Sequence, residues 1–234
     1  MAKKLITSLK ESTEEAALPK VSVFLVDTHK TELDTMLDQY RSFISADRMK
    51  KIIRLAHMSD KKLSFAAEMA LCFAMKSFSL PFSPTQYRYD QWGKPYIENA
   101  EDVFISISHS GYLACCAIAR FPIAVDVLET DYYIASSFQK KVVGPKDLIP
   151  ESKHDLLSLW TKKECYVKLT GRGLRTSMLS FSVDGDRIVS HIGGPDAFIR
   201  SVESDGYFIS LASDRMIRAD YYMLSDEDFP SLLD

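Results

Sequence analysis

The stretch "DVFISISHSGYLACCAIARFPIAVDVLE", residues 102–129, contains the segments that decide the fold. It reads as three apolar runs, with a turn near Gly111 between the first two, and runs of this kind predict strands. The last run carries an acid, Asp126, between Val125 and Val127. An unpaired buried charge costs several kcal/mol. Asp126 therefore needs a cation, a hydrogen-bonding partner or a position at the rim of the sheet.

Strand and helix patterns alternate along the rest of the chain. "VSVFLVD" (21–27) predicts a first strand, and 45–80 predicts two helices broken near "MSDKK", the second capped by Ser59 or Asp60. A further helix is predicted from about Pro150 to Leu169, ended by Gly171 in the C′ position. The tail returns to strand patterns: "LSFSVDG", "AFIRSVES", "YFISLAS" and "IRADYYML".

Each half of the chain thus contains helices followed by antiparallel strands. The sequence predicts an α/β (α+β) fold with two similar subdomains, 1–120 and 121–234, each an antiparallel sheet plus helices. No sequence repeat and no low-complexity linker separates the halves. We therefore expect them to pack into one compact unit.

The composition is that of an ordinary globular protein, with 234 residues, 46% hydrophobic residues and a net charge of −3. Affinity for phosphate must therefore come from local patches, and no nucleic-acid partner is expected. The start of the chain has no apolar signal region, and the longest apolar run, "YLACCAIA" (112–119), is too short to span a membrane. The four cysteines lack metal-ligand spacing, which favours buried free thiols and a cytoplasmic location.

The predicted long helix carries an acid and a base on one face. Glu164 and Lys168 are four residues apart, a spacing that usually indicates a solvated ion pair. Trp160 lies one turn before Glu164 on the same face, and so large an aromatic side chain prefers burial. This face is therefore predicted to look inward, so that its acid and lysine need partners other than water.

Three shorter segments leave alternatives open. "SISHSG" (106–111) contains Ser108 and His109, but adjacent strand residues point to opposite faces, which disfavours a Ser/His/Asp triad. His109 at a strand end suits a phosphate, and the alternative is a surface histidine in a turn. "QWGKP" (91–95) alone reads as a hairpin turn. The basic residues of 46–62 form either a solvated helix face or an anion site.

The order of these segments, "WGKP", "ISISHS", "IAVDVLE" and "LWTKKECYVK" followed by "GRGL", resembles that of the 4'-phosphopantetheinyl transferase superfamily. The similarity is to the larger, pseudo-dimeric (surfactin-synthetase-activating) type and runs from about residue 43 to 185. It implies a pseudo-dimer with the active site at the interface of a coenzyme A-binding N-terminal half and a metal-binding, catalytic C-terminal half. It also implies a phosphopantetheinyl transferase of the holo-[acyl-carrier-protein] synthase type.

The resemblance further implies a role for each matching position. Asp126 and Glu164 would hold a Mg²⁺ that also binds the coenzyme A pyrophosphate, a ligand set typical of this ion. Lys168 would stabilise charge on the departing phosphate, and Glu164 would be the base that deprotonates the carrier serine. The catalytic set is thus Asp126, Glu164 and Lys168. Coenzyme A would be bound by Arg48, Lys51, Ser64, Lys94, Ser108, His109 and Lys168.

Three positions depart from the family pattern. Leu128 stands where an acid often follows Asp126, so water or Ser110 is expected to complete the metal shell. Ala124 replaces a usual glycine, which should only tighten packing. Leu63 replaces a common arginine and weakens the expected contacts to the 3'-phosphate.

Two rival functions use the same residues. One is a non-catalytic module that binds a carrier protein or coenzyme A, which has no need for a buried metal pair. The other is a metal phosphohydrolase using the same acids. The expected partner is an acyl or peptidyl carrier protein of fatty-acid, polyketide or peptide synthesis, attracted by a basic face at 48–62 or 138–146. A monomer is sufficient for a two-half fold.

Overall fold

The computed structural model describes residues 3–4, 13–80, 87–91, 94–135, 137–171 and 173–233. Its helices are α1 (Thr13–Ala16), α2 (Leu33–Gln39), α3 (Ala46–Arg54), α4 (Met58–Ser77), α5 (Gln139–Val142) and α6 (Lys153–Thr170). Its strands are β1 (Lys3–Lys4), β2 (Lys20–Asp27), β3 (Tyr87–Tyr89), β4 (Pro95–Ile97), β5 (Phe104–Ser110), β6 (Leu113–Ala119), β7 (Ile123–Glu129), β8 (Phe181–Asp184), β9 (Arg187–Ser190), β10 (Ala197–Ser204), β11 (Tyr207–Ser213) and β12 (Arg218–Leu224).

The strands form two five-stranded sheets and a separate β3–β4 hairpin. The first sheet has the order β1-β12-β2-β6-β5, with β12 parallel to β2 and the other pairs antiparallel. The second sheet, β7-β11-β10-β9-β8, is antiparallel throughout. The predicted α/β class, with antiparallel sheets and helices, is confirmed.

The last strand crosses back to the first sheet. β12 pairs with β2, so residues 218–224 complete a sheet built mainly from residues before 120. The proposed division into 1–120 and 121–234 stays a prediction, and a cut at residue 120 would divide this sheet between two fragments.

The alternation of side chains along each strand separates three layers of core. On β6, Cys116 faces the core beneath α4, whereas its neighbour Cys115 faces the core between the two sheets. On β7, Val125 and Val127 face the other sheet, and Ala124 faces the core beneath α6. Asp126 has the parity of Ala124, so it lies on the α6 side of its strand.

A ladder of serine side chains joins the two sheets where their edge strands, β5 and β7, lie side by side. Edge strands leave backbone N–H groups without a strand partner. Three hydroxyl oxygens on alternate residues of "SISHS" accept these N–H groups: Ser106 from Val125 (3.0 Å), Ser108 from Val127 (3.3 Å) and Ser110 from Glu129 (3.2 Å). Every second residue of this part of β5 is thus a serine that accepts the N–H of every second residue of β7.

The predicted helix boundaries are largely confirmed. α3 and α4 divide the segment 45–80 as expected, but the expected cap at Ser59 or Asp60 is wrong. The helix begins at Met58, with His57 at the N-cap, so both residues lie in its first turn. α6 starts three residues after Pro150, where Ser152 and Asp155 form a capping box, and Gly171 ends it with φ 68°. Across the described residues, every helix falls short of the length or apolar character that spanning a bilayer requires.

Candidate functional site

Two cavities form one cleft between α4, α6 and the ends of β5 and β7, and they share the lining residues Asp60, His109 and Asp126. The larger, of 680 Å³, is the cationic arm: its lining includes Arg48, Lys51, Ser64, Ser108, His109 and Lys168. The smaller, of 500 Å³, is the acidic arm: its lining includes Asp60, Leu63, Ser110, Asp126, Trp160 and Glu164. The cleft therefore has two chemically different ends that meet at these three shared residues, Asp126 among them.

This cleft brings together every predicted site residue except Lys94. Lys94 borders a separate cavity of 310 Å³, and its Nζ donates to the carbonyl of Leu169 at 3.0 Å, near the end of α6. Its neighbour Pro95 does line the cationic arm. Trp92 and Gly93 of the same motif, and Arg172 of "GRGL", lie outside the described residues. A contact between Lys94 and coenzyme A is not supported by this arrangement and stays a prediction.

Asp126 is stabilised by a lysine and a serine. Lys168 Nζ donates to Asp126 Oδ1 at 2.7 Å, to Ser108 Oγ at 2.8 Å and to the carbonyl of Val125 at 3.2 Å. The Ser108 hydroxyl donates to the same Oδ1 at 2.9 Å. Burial lowers the pKa of the Lys168 ammonium, but the Asp126 carboxylate outweighs it, so the pKa is raised. In the protein alone, the buried acid is therefore balanced by Lys168.

Glu164 lies one turn before Lys168 on the inward face of α6, as predicted. The Trp160 indole Nε1 donates to Glu164 Oε1 at 3.2 Å. Burial raises the pKa of Glu164, and the nearby Asp126 carboxylate adds to this, against the opposing effects of Trp160 and Lys168. Lys168 is paired with Asp126, so the reading of Glu164 and Lys168 as a solvated surface pair is wrong.

His109 faces the cleft from the end of β5. Burial lowers the pKa of its imidazole, and the cations Lys168, Lys51 and Arg48 lower it further, against a small opposing effect of Asp60. A ring in this setting is neutral near pH 7 and gains a proton more readily when an anion binds beside it. The adjacent Ser108 hydroxyl is bonded to Asp126 and Lys168, so these contacts do not form a Ser/His/Asp triad.

The donor set of the acidic arm fits Mg²⁺. Asp126 and Glu164 both line it, and the mutual repulsion that raises the pKa of Glu164 is what a bound cation would relieve. Among the described residues, no three His, Cys, Asp or Glu side chains group closely enough to hold a metal. Two carboxylates whose remaining ligands are water and substrate phosphate are a usual Mg²⁺ set. Leu128 packs with Leu157 and Phe208 and supplies no ligand.

Sequence reasoning missed Glu68, which lies in the middle of α4 with no exposed surface. Its Oε1 accepts a hydrogen bond from Arg48 Nε, and its Oε2 accepts one from the Tyr87 hydroxyl. Arg48 Nη2 in turn donates to the Tyr89 hydroxyl. A signal was available, because Glu68 is a lone acid in the apolar run "LSFAAEMALCFAM" (63–75), as Asp126 is in its strand.

Lys163 was also missed, and it is fully buried next to Glu164. Its Nζ donates to the Asp147 carboxylate and to three carbonyls: Val142 (2.9 Å), Met178 (2.7 Å) and Phe181 (3.0 Å). Asp147 also accepts the N–H groups of Gly144 and Val183. Lys163 is the lysine directly before the glutamate of "WTKKE", but its burial and its partners are visible only in the fold.

The fold and the cleft define a two-sheet α/β protein with a cationic and an acidic arm that meet at Asp60, His109 and Asp126. Sequence comparison with curated proteins confirms the family recognised from the motifs, the 4'-phosphopantetheinyl transferase superfamily in its larger type. No family model matches the chain.

Three relatives illustrate the similarity. The chain is 29% identical to 4'-phosphopantetheinyl transferase Sfp of Bacillus subtilis (strain 168) over 154 residues, covering 62% of this chain and 68% of that protein. It is 28% identical to a Bacillus subtilis 4'-phosphopantetheinyl transferase over 181 residues, 72% of this chain and 80% of the relative. It is 26% identical to 4'-phosphopantetheinyl transferase gsp of Aneurinibacillus migulanus over 150 residues, 61% of this chain and 62% of the relative.

Proposed function

We propose that this chain transfers the 4'-phosphopantetheine group of coenzyme A to a serine of an acyl or peptidyl carrier protein, with Mg²⁺, and releases adenosine 3',5'-bisphosphate. The sequence resemblance predicts an enzyme of the holo-[acyl-carrier-protein] synthase type. The relatives found by comparison are Sfp and gsp, so we propose that the chain belongs to the Sfp branch of the superfamily. The carrier itself, a cytoplasmic location and a monomeric state stay predictions.

The observation that carries this proposal is the junction of the two arms at Asp126. Arg48, Lys51, His109 and Lys168 supply positive or protonatable groups on one side, where a bisphosphate would be bound. Glu164 lies on the other side. A diphosphate bridging the two arms would have its leaving phosphate beside cations and its attacked phosphorus near the carboxylates.

A Mg²⁺ held by Asp126 and Glu164 would supply charge neutralisation for the diphosphate, as divalent ions commonly do in phosphoryl transfer. The third ligand that replaces the missing acid at position 128 is proposed to be water or the Ser110 hydroxyl. Ser110 lines the same arm, which supports its role, although its oxygen already accepts the N–H of Glu129.

The residues of the chain would act in three ways. Lys168, already held by Asp126 and Ser108, would stabilise the charge that develops on the departing phosphate. His109 would donate a hydrogen bond to a phosphate oxygen once an anion raises its pKa. Glu164 would take the proton of the carrier serine, directly or through water, and its raised pKa favours this role. Its parallel use as a metal ligand would make it a weaker base.

The test is transfer of label from coenzyme A to an apo carrier protein in the presence of Mg²⁺. Asp126→Asn and Glu164→Gln remove charge with little change of shape, and we expect each to lower kcat/KM by at least about 10²-fold. Glu129→Gln is the matched control, because Glu129 ends the same strand as Asp126 but is not among the residues that line the cleft. It should transfer label at the wild-type rate.

The other outcomes of this assay identify the rival functions. Binding of coenzyme A or carrier without transfer by the wild type would mean a non-catalytic module. Release of phosphate or 4'-phosphopantetheine to water without a carrier would mean a metal phosphohydrolase. Measuring transfer across carriers of fatty-acid, polyketide and peptide synthesis would identify the preferred partner.

A further inference from the structure

The buried carboxylate of Glu68 lies outside the reaction described above, yet it is bonded to a residue of the cationic arm. Glu68 has no exposed surface, and the Arg48 side chain bonded to it is 10% exposed. Arg48 lines the cationic arm together with Lys51, Ser64 and His109. The pair thus connects the middle of the α4 core to the surface of the cleft.

We propose that Glu68 is a positioning residue that holds the Arg48 guanidinium in place to bind the 3'-phosphate of coenzyme A. The inference rests on the proposed function, since it names the residue behind one part of that substrate site. Arg48 Nε is bonded to Glu68 and one Nη2 proton to Tyr89, and the guanidinium also makes a hydrogen bond with Tyr87; its remaining donors are left for a phosphate.

An acid at this position carries a cost of its own. The residues around Glu68 on α4 are mostly apolar and buried, so its carboxylate is desolvated, and the bonds to Arg48 and Tyr87 are what offset that cost. Burial indeed raises the pKa of Glu68, against the opposing effects of Arg48 and Tyr87. We therefore expect the carboxylate to be useful because it orients the Arg48 guanidinium.

Glu68 also connects two walls of the cationic arm. Its Oε1 contacts α3 through Arg48, and its Oε2 contacts the β3–β4 hairpin through Tyr87. Tyr89, on the same hairpin, accepts from Arg48 Nη2, and the Arg48 Cζ lies 5.6 Å from the centre of its ring. Because α3 and the hairpin are far apart in sequence, Glu68 fixes the geometry of both sides before a ligand binds, which lowers the ordering cost of binding.

The test measures binding by calorimetry without a carrier protein, so that no transfer occurs. Its two ligands, coenzyme A and dephospho-coenzyme A, differ only in the 3'-phosphate. We expect Glu68→Gln to raise the Kd of coenzyme A about tenfold, equivalent to about 1.4 kcal/mol. The Kd of dephospho-coenzyme A should change less than about twofold, because that ligand lacks the group that Arg48 binds.

A double-mutant cycle asks whether Glu68 acts through Arg48. Arg48→Ala should weaken coenzyme A binding at least as much as Glu68→Gln, and the double variant should bind no more weakly than Arg48→Ala alone. An unchanged Kd for Glu68→Gln would overturn the proposal. Equal weakening of both ligands, or a further loss in the Arg48→Ala background, would also overturn it.

A milder variant covers the case in which Glu68→Gln unfolds the protein, as seen by circular dichroism. Tyr89→Phe removes only the hydroxyl that accepts from Arg48 Nη2, on a side chain that is 46% exposed. It should raise the Kd of coenzyme A about threefold and leave the Kd of dephospho-coenzyme A unchanged. Equal effects on both ligands would refute the positioning role. Transfer by the wild type is measured alongside, so that loss of the proposed function is seen separately from the binding result.

Discussion

Replacing Lys163 by methionine should lower the free energy of unfolding without changing any residue that lines the cleft. The Lys163→Met side chain keeps the length of the stem and removes the ammonium that binds Asp147 and three carbonyls. Breaking a buried ion pair on one side costs about 3–5 kcal/mol. Asp147 would still accept the N–H groups of Gly144 and Val183, so we expect the lower end, about 3 kcal/mol.

Equilibrium unfolding in urea measures this loss. With a urea dependence of about 3 kcal/mol per M for a chain of this size, the midpoint should fall by about 1 M. Lys162→Met is the matched control, because Lys162 is the neighbouring lysine and is only half-buried, so it should shift the midpoint by less than about 0.2 M.

A double-mutant cycle with Asp147→Asn separates the ion pair from the packing of the stem. The asparagine still accepts backbone N–H groups but carries no charge that needs Lys163. We expect the double variant to be more stable than the sum of the two single effects by about 2 kcal/mol. A Lys163→Met midpoint equal to that of the Lys162→Met control, or strict additivity in the cycle, would refute the reasoning.

Three other measurements test the cleft. Glu164→Gln should stabilise the protein without Mg²⁺ at about pH 7.5 and lose this gain at about pH 4. The reason is that a carboxyl whose pKa is raised in the folded state costs stability at any pH where the unfolded carboxyl, with a pKa of about 4.3, has ionised. Thermal unfolding at the two pH values measures the effect, and an equal effect at both would contradict the prediction. The imidazole of His109 should titrate below its usual range in an NMR experiment and move upward when coenzyme A binds, whereas a fixed pKa would argue against a phosphate contact. Ser108→Ala should cost about 1–3 kcal/mol in urea unfolding, because the N–H of Val127 and the ammonium of Lys168 lose an acceptor; a cost below 0.5 kcal/mol would mean that the serine ladder contributes little.

Much of the fold was predictable because its signals are local. The strand at 20–27, the two helices of 45–80 and the stop at Gly171 follow from side-chain alternation, helical spacing and one residue with positive φ. The inward orientation of Glu164 also followed from Trp160, four residues earlier. Each of these signals acts within one or two turns of the residue that it determines.

The partners of the polar residues were harder to predict, because they are far apart along the chain. Lys168 and Ser108 are 60 residues apart, and Arg48 and Tyr89 are 41 apart. Lys94 matched a motif, but its ammonium is bonded to the carbonyl of Leu169, 75 residues away. No spacing rule connects such positions, since their distance depends on how α3, α6 and the hairpin pack on the sheets.

By itself, the sequence determined which residues had to be balanced: the carboxylate of Asp126 within an apolar strand implied a partner, because burying a charge alone is too costly. The tertiary structure alone decided that this partner is Lys168 with Ser108, and that Arg48 is held by Glu68. It decided this because β5 and β7 lie side by side where the two sheets meet, and helix α6 packs on β7 and β11, which brings Lys168 and Ser108 to Asp126. The chemistry of each group is local, whereas its partner depends on packing between distant segments.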